Sequence, residues 1–204
     1  IQLIEYARKM NRSGINQGTS GNLSLRQDDG MLITPSAVPY DDLEPGDIVQ
    51  VNFDGSAVSS RKPSSEWRLH LDVYRDRPDA RAILHAHPVH CTALACLRRD
   101  IPAFHYMVAV AGGSDIRCSP YATFGTQELS EHAVAALEGR KACLMANHGL
   151  VCLADNLDAA LALAIEIESL ARSYLQCLSV GEPVILDEDE MNRVLMKFES
   201  YKPE

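Results

Sequence analysis

No stretch of the 204 residues approaches the roughly 18 consecutive apolar positions that a membrane-spanning helix needs. The first turns carry Glu5, Arg8 and Lys9 where a secretory signal would be apolar, so the expectation is a cytoplasmic protein with no membrane partner. Positive charge is scarce: 19 Lys and Arg face 28 Asp and Glu, a formal net charge of -9. Binding to nucleic-acid phosphates calls for a basic face, and no such partner is expected. The six cysteines form no C-x-x-C pair, which argues against a tetracysteine zinc site and against a disulfide framework. They read as buried free thiols, four of the six within apolar patterns. Neither G-x-G-x-x-G nor a P-loop lysine is present, so dinucleotides and nucleoside triphosphates are not indicated. Repeats, linkers and low-complexity segments are also absent, and the expected organisation is one domain over residues 1–204 with enough apolar residues, 46%, for a core.

What the chain does have is a concentration of imidazoles. Ala82-Ile83-Leu84 reads as a buried strand and runs into His85-Ala86-His87-Pro88-Val89-His90. Side chains alternate along a strand, so His85 and His87 point the same way and can grip one ion, whereas His90 lies beyond Pro88, where a new element starts. A zinc site needs a third ligand, with one position left open if the metal is catalytic. Two candidates stand out: His148, at a turn after the apolar run Ala142-Cys143-Leu144-Met145 and before Gly149, and Glu66, after Ser64-Ser65 at the start of a helix. For Glu66 the structural alternative is a carboxylate in a helix's first turn, with Ser64 or Ser65 as N-cap.

Two loops could meet an oxyanion. One is Gln17-Gly18-Thr19-Ser20-Gly21-Asn22 before the alternating strand Leu23 to Arg26; the other is Thr34-Pro35-Ser36 at the end of a second strand. Helical spacing is read over Ile1 to Met10, Trp67 to Tyr74, Pro88 to Leu97, Glu128 to Leu137, Leu157 to Val180, and from Asp187 to about Phe198. Strands are read at Ile48 to Phe53 and Leu150 to Leu153 as well. Short strands between helices imply α/β layers, with early hairpin spacing pointing to a mixed or antiparallel sheet.

The ordered motifs GTSGNLSLR, MLITPS, KPSSEW, HAHPVH, PAFHYMVAVAGG, PYATFGTQELSEH and NHGL resemble the class II aldolase/adducin family along nearly the whole chain. That resemblance implies a three-layer α/β/α fold around a largely antiparallel sheet and a homotetramer with active sites at subunit interfaces. It implies a lyase in which zinc, or manganese, cobalt or iron in its place, helps to cleave a ketose 1-phosphate to dihydroxyacetone phosphate and an aldehyde. By the same resemblance His85, His87 and His148 hold the metal, and Glu66 is acid/base and an added ligand when no substrate is bound. Gly21, Asn22, Ser36, Ser64 and Ser65 hold the substrate phosphate with support from Thr19. Tyr106 reaches a neighbouring subunit's site to serve the aldehyde oxygen, and Tyr201 resembles a second tyrosine from the C-terminal tail.

The chain departs from the family pattern at Ala37, where glycine is usual, at Asn147, where a relative has histidine, and at Pro88, where one has alanine. The substrate expected is therefore L-fuculose 1-phosphate or a related deoxy or methylthio pentulose 1-phosphate. Other branches of the family are a pentulose-phosphate 4-epimerase, a methylthioribulose-1-phosphate dehydratase and the non-catalytic adducin-like interaction module. Glu66, where epimerases typically carry aspartate, and the retained histidines favour the aldolase.

Overall fold

The computed structural model describes residues 1–200. Its centre is an eight-stranded sheet, made of β1 (Asn22–Gln27), β2 (Gly30–Ile33), β3 (Val49–Asn52), β4 (Ala57–Val58), β5 (Ala82–Ala86), β6 (Cys118–Ser119), β7 (Ala142–Met145) and β8 (Gly149–Ala154). The spatial order is β4-β3-β2-β1-β5-β8-β7-β6. Only the β6–β7 pair is parallel.

Alternation along the central strands divides the core into two apolar layers. Leu84, Leu144 and Cys152 face one side, while Ile83, Cys143 and Val151 face the other. On the first side pack α1 (Gln2–Arg12), α3 (Val89–Cys96) and α5 (Leu157–Val180); on the second pack α2 (Trp67–Asp76) and α4 (Gln127–Ala136). The result is the three-layer α/β/α arrangement expected. With both faces covered, β5 and β7 are buried at every position, which is why they read as continuous apolar runs. Each fully buried Leu or Ile in these layers contributes about 1.5–3 kcal/mol relative to exposure.

The helices begin and end where local chemistry directs. Asn156 caps α5 by accepting the Ala159 N–H at 2.9 Å, and its buried residues Leu157, Ala160, Leu161, Ala164, Ile167, Leu170, Ala171 and Tyr174 follow helical spacing. Thr126 does the same for α4 through Leu129 N–H at 3.3 Å. The last helix, α6 (Glu188–Ser200), receives Glu190 N–H on Asp187 Oδ1 at 2.8 Å.

Two readings need correction. Neither serine caps α2 with its side chain: Glu66 is itself the cap residue, its carboxylate makes no capping bond, and Ser64 Oγ accepts only the Glu66 N–H, at 3.3 Å. The cysteines are all free, but Cys96 is exposed, since it ends α3 on the side away from the sheet. Short strands β4 and β6 are too brief to leave a periodic signal.

Candidate active site

Register carries the site residues together. Asn22 of β1 lies opposite His85 of β5, and Ala86 lies opposite Leu150 of β8, so the end of β5 meets the β7–β8 turn that bears His148. Gly149 makes that meeting possible: a Cβ there would fall 2.5 Å from the Ala86 carbonyl oxygen and 2.7 Å from His87 Cδ2. The rings of His85, His87 and His148 stand edge to face with centroids 4.8–4.9 Å apart. His90 turns away, with Nδ1 2.7 Å from Glu168 Oε1 on α5.

Hydrogen positions in the cluster follow from its partners. His85 Nδ1 is 3.0 Å from the Leu150 carbonyl oxygen, which can only accept, so Nδ1 carries the proton and Nε2 is left as a lone pair. That bare nitrogen faces His87 Nε2 at 3.0 Å and Glu66 Oε2 at 3.1 Å. Glu66 Oε1, buried and without a hydrogen-bond donor, lies 3.2 Å from His148 Nε2. So many inward lone pairs repel one another unless a cation or an added proton sits among them. Three histidine nitrogens within 4.8 Å of one another form a group that could hold a metal ion, and the orphaned carboxylate oxygen fits the same purpose.

Electrostatics favour neutral ligands. Burial, and then the neighbouring His85 charge, hold His87 and His148 at about 4, so both rings are unprotonated near neutrality. For Glu66, burial pushes upward but is outweighed by the charge and hydrogen bond of His85, then by His148 and the Asn22 amide; the carboxyl lies well below its usual range. Burial pushes His85 down, and the Glu66 carboxylate more than reverses it.

Glu66, His87 and His148 open onto a cavity of about 360 Å³. Thr19, Ser20 and Ser65 line one part of it, and Tyr121, Phe124 and Asn147 another. Of the residues expected to hold a phosphate, Thr19 and Ser65 thus reach the cavity. Gly21, Asn22 and Ser64 are buried, and Ser36 is exposed on a loop tied to the α2 approach by Ser36 N–H to Lys62 O (3.1 Å) and Ser64 N–H to Thr34 O (3.1 Å). Asn22 gives its side-chain amide to Glu66 Oε2 at 3.0 Å.

Tyr106 is not part of this cavity. It is 51% exposed in a 3-10 turn (Tyr106–Ala111), stacks on His105, and lines a separate space of about 940 Å³ against Arg193, Lys197 and Phe198 of α6. Tyr201 lies outside the described residues. Sequence reasoning passed over Ser20, Tyr121, Phe124 and the buried His70. The last stands four positions after Glu66, close to one helical turn, a spacing that could have flagged it.

Imidazoles converging at the end of a largely antiparallel sheet, with a buried carboxylate against them, form a group that could hold a metal ion in an α/β fold. Residues 1–175 match the Class II Aldolase and Adducin N-terminal domain, and the chain belongs to that family. It is 56% identical over 199 residues to the 5-methylthioribulose-1-phosphate/5-deoxyribulose-1-phosphate aldolase of Rhodospirillum rubrum, covering 98% of this chain and 90% of the relative. To the L-fuculose phosphate aldolase of Escherichia coli K12 it is 51% identical over 201 residues, covering 98% and 94%. A solved L-fuculose 1-phosphate aldolase superposes with a TM-score of 0.94 at 44% identity, covering 97% of this chain and 94% of the other. The chain is accordingly an aldolase of class II, a lyase whose family depends on metal.

Proposed function

We propose that this chain is a zinc-dependent aldolase that cleaves a ketose 1-phosphate to dihydroxyacetone phosphate and a short aldehyde with an apolar end. The observation that carries the reading is the three-imidazole cluster with Glu66 against it. Neutral nitrogen ligands suit zinc and leave its charge uncompensated, although manganese, cobalt or iron would be accepted by the same donors. When bound, the metal supplies Lewis acidity for the charge that builds on the three-carbon fragment. No lysine Schiff base is then needed.

Cleavage breaks the bond between carbons 3 and 4, removes the proton from the oxygen on carbon 4 and returns one to carbon 3. Two proton handlers on opposite sides of that bond are required. Glu66, on the cavity wall, is assigned to carbon 3. Tyr106, exposed and remote from its own chain's cluster, is assigned to the aldehyde oxygen in a neighbouring subunit of a homotetramer, with Tyr201 of the tail as its companion. Thr19 and Ser65, together with Gly21, Asn22, Ser36 and Ser64 around them, are assigned to the phosphate.

Tyr121 and Phe124, 51% and 66% exposed at the cavity rim, give the aldehyde end an apolar wall. Such a wall suits a terminal methyl or methylthio group, as in 5-deoxyribulose, 5-methylthioribulose or L-fuculose 1-phosphate, better than a terminal hydroxymethyl. Six free thiols fit a cytoplasmic, reducing location.

A panel of ketose 1-phosphates assayed for dihydroxyacetone phosphate, with and without chelator, tests the reading. Release that stops on chelation and returns with zinc is expected. An epimerised ketose or a dehydrated product, with no dihydroxyacetone phosphate from any member, would replace it. Glu66→Gln should keep metal and lose most turnover, and Tyr106→Phe should slow cleavage.

A further inference from the structure

Behind Glu66 runs a line of buried polar side chains: Asn22, assigned above to the phosphate, leads to His70, Ser24 and Tyr74, to which the reaction as described gives no role. Asn22 Nδ2 is 3.0 Å from Glu66 Oε2, Asn22 Oδ1 is 2.5 Å from His70 Nε2, His70 Nδ1 is 2.7 Å from Ser24 Oγ, and Ser24 Oγ is 2.9 Å from the Tyr74 hydroxyl. Relative exposures are 4% for Glu66, 3% for Asn22, 0% for His70 and Ser24, and 1% for Tyr74, so these groups must satisfy one another instead of water. Chemistry then fixes every proton. A carboxylate can only accept, so Asn22 presents its NH₂ to Glu66 and its oxygen to His70. That oxygen can only accept, so His70 donates from Nε2. Burial keeps the His70 ring neutral, which leaves Nδ1 a lone pair that takes the Ser24 hydroxyl proton. The Ser24 oxygen in turn takes the proton of Tyr74, closer than the Arg81 carbonyl at 3.4 Å.

Each hydrogen bond therefore points the same way, from Tyr74 toward the carboxylate. We propose that His70 is a positioning residue for Glu66: its Nε2–H locks the Asn22 amide, which holds Glu66 by Oε2 and leaves Oε1 aimed at the imidazole cluster. The alternative tautomer would set two lone pairs 2.5 Å apart at Asn22 Oδ1, and flipping the amide to relieve that would turn its oxygen on the carboxylate. Of the two carboxylate oxygens, one is thus tethered by an amide donor and the other is the unpartnered one. A Glu66 free to rotate would spend part of its time with neither oxygen at the reacting carbon.

The inference rests on Glu66 acting as acid/base, and two measurements separate the two ideas. In the metal-loaded protein, ¹⁵N-histidine NMR should show ring 70 with a protonated Nε2 and a bare Nδ1; an Nδ1–H tautomer overturns the proposal whatever Glu66 does. Gln can place an N–H near the imidazole Nε2 position, whereas Leu cannot. His70→Leu should lower kcat about tenfold to a hundredfold with little change in KM for the ketose 1-phosphate and with full metal content, and His70→Gln should recover most of the loss. Wild-type kcat in a folded His70→Leu, or equal losses in Leu and Gln, would overturn it. Full turnover in Glu66→Gln would instead remove the underlying assignment, while the tautomer would still be read directly. Should His70→Leu not fold, Ser24→Ala, which withdraws the proton held by Nδ1, is expected to lower kcat in the same direction; unchanged kcat there counts against the proposal.

Discussion

Arg98 Nε donates to the Asn147 side-chain oxygen at 3.1 Å, and both residues hold left-handed backbone, with φ of 52° and 54°. Asn147 N–H also donates to Ala95 O at 2.9 Å, which ties the turn before His148 to the last turn of α3. That helix starts two residues after His87. One short helix thus links the second imidazole to the third, and the spacing of the cluster is set by backbone.

Asn147 is suited to its place because asparagine tolerates the left-handed region, so Asn147→Gly should retain metal and fold. Asn147→Val forces a β-branched residue there at a cost of about 1–2 kcal/mol and loses the Arg98 contact. About tenfold weaker metal binding is expected of the valine variant, read by competition with a chromophoric chelator. Affinities equal to wild type would show that the turn does not set the position of His148.

Acid should unfold the protein partly through His70. Burial, with a further contribution from the His85 charge against an opposing one from Glu66, holds its folded pKa at about 3, below the ordinary 6.5. Below 6.5 the unfolded chain binds a proton that the folded one refuses, so this contribution to stability is full above 6.5 and is lost as pH falls toward 3. Its slope is about 1.4 kcal/mol per pH unit inside that window. Urea midpoints measured from pH 7 to 4 should fall less steeply in His70→Gln than in wild type. Parallel slopes would mean that the ring is already charged in the native state.

Much of the frame was legible because helices buried on one side keep their periodicity, while strands covered on both faces read as short apolar runs. Leu157 to Val180 reads as one helix and is one, and Pro88 marks the start of α3 with Cys91, Leu94 and Ala95 inward as expected. The imidazole cluster was legible too, since alternation places His85 and His87 on one side and a Gly-bearing turn returns His148 to them. What stayed hidden depends on contacts between distant segments. Nothing local to Asn22 announces that its amide will be shared between Glu66 and His70, or that Ser64 would fail to cap α2. Tyr121 and Phe124 carry no local signal of a role, and only the fold leaves them at the rim.

Ala37 carries strain that glycine would relieve. Its φ is 59°, beside Ser36 in the loop assigned to the phosphate, and a Cβ in that conformation costs about 1–2 kcal/mol before the greater chain entropy of glycine is deducted. Ala37→Gly should therefore gain about 0.5–1 kcal/mol, a rise in Tm of roughly 1–4 °C for a domain of this size. Calorimetry checks the gain. A lower Tm would mean that the methyl group makes packing contacts outweighing the strain.

Gly149 offers the reverse case, in which adding the same methyl group should dismantle the site. The Cβ would collide with Ala86 O at 2.5 Å and His87 Cδ2 at 2.7 Å, and the first of these is backbone paired in the β5–β8 ladder. Relief requires β8 to draw away from β5, which separates His148 from His85 and His87 together. Gly149→Ala should lose about 1–3 kcal/mol of stability through overpacking, and more than tenfold in metal affinity because the spacings of His148 to His85 and to His87 change at once. The two losses are separable by experiment: urea unfolding of the chelated protein reports the packing term alone, and zinc titration of the folded variant reports the ligand geometry. A variant that is destabilised yet binds zinc as tightly as wild type would show that the cluster can be assembled without close approach of the two strand ends.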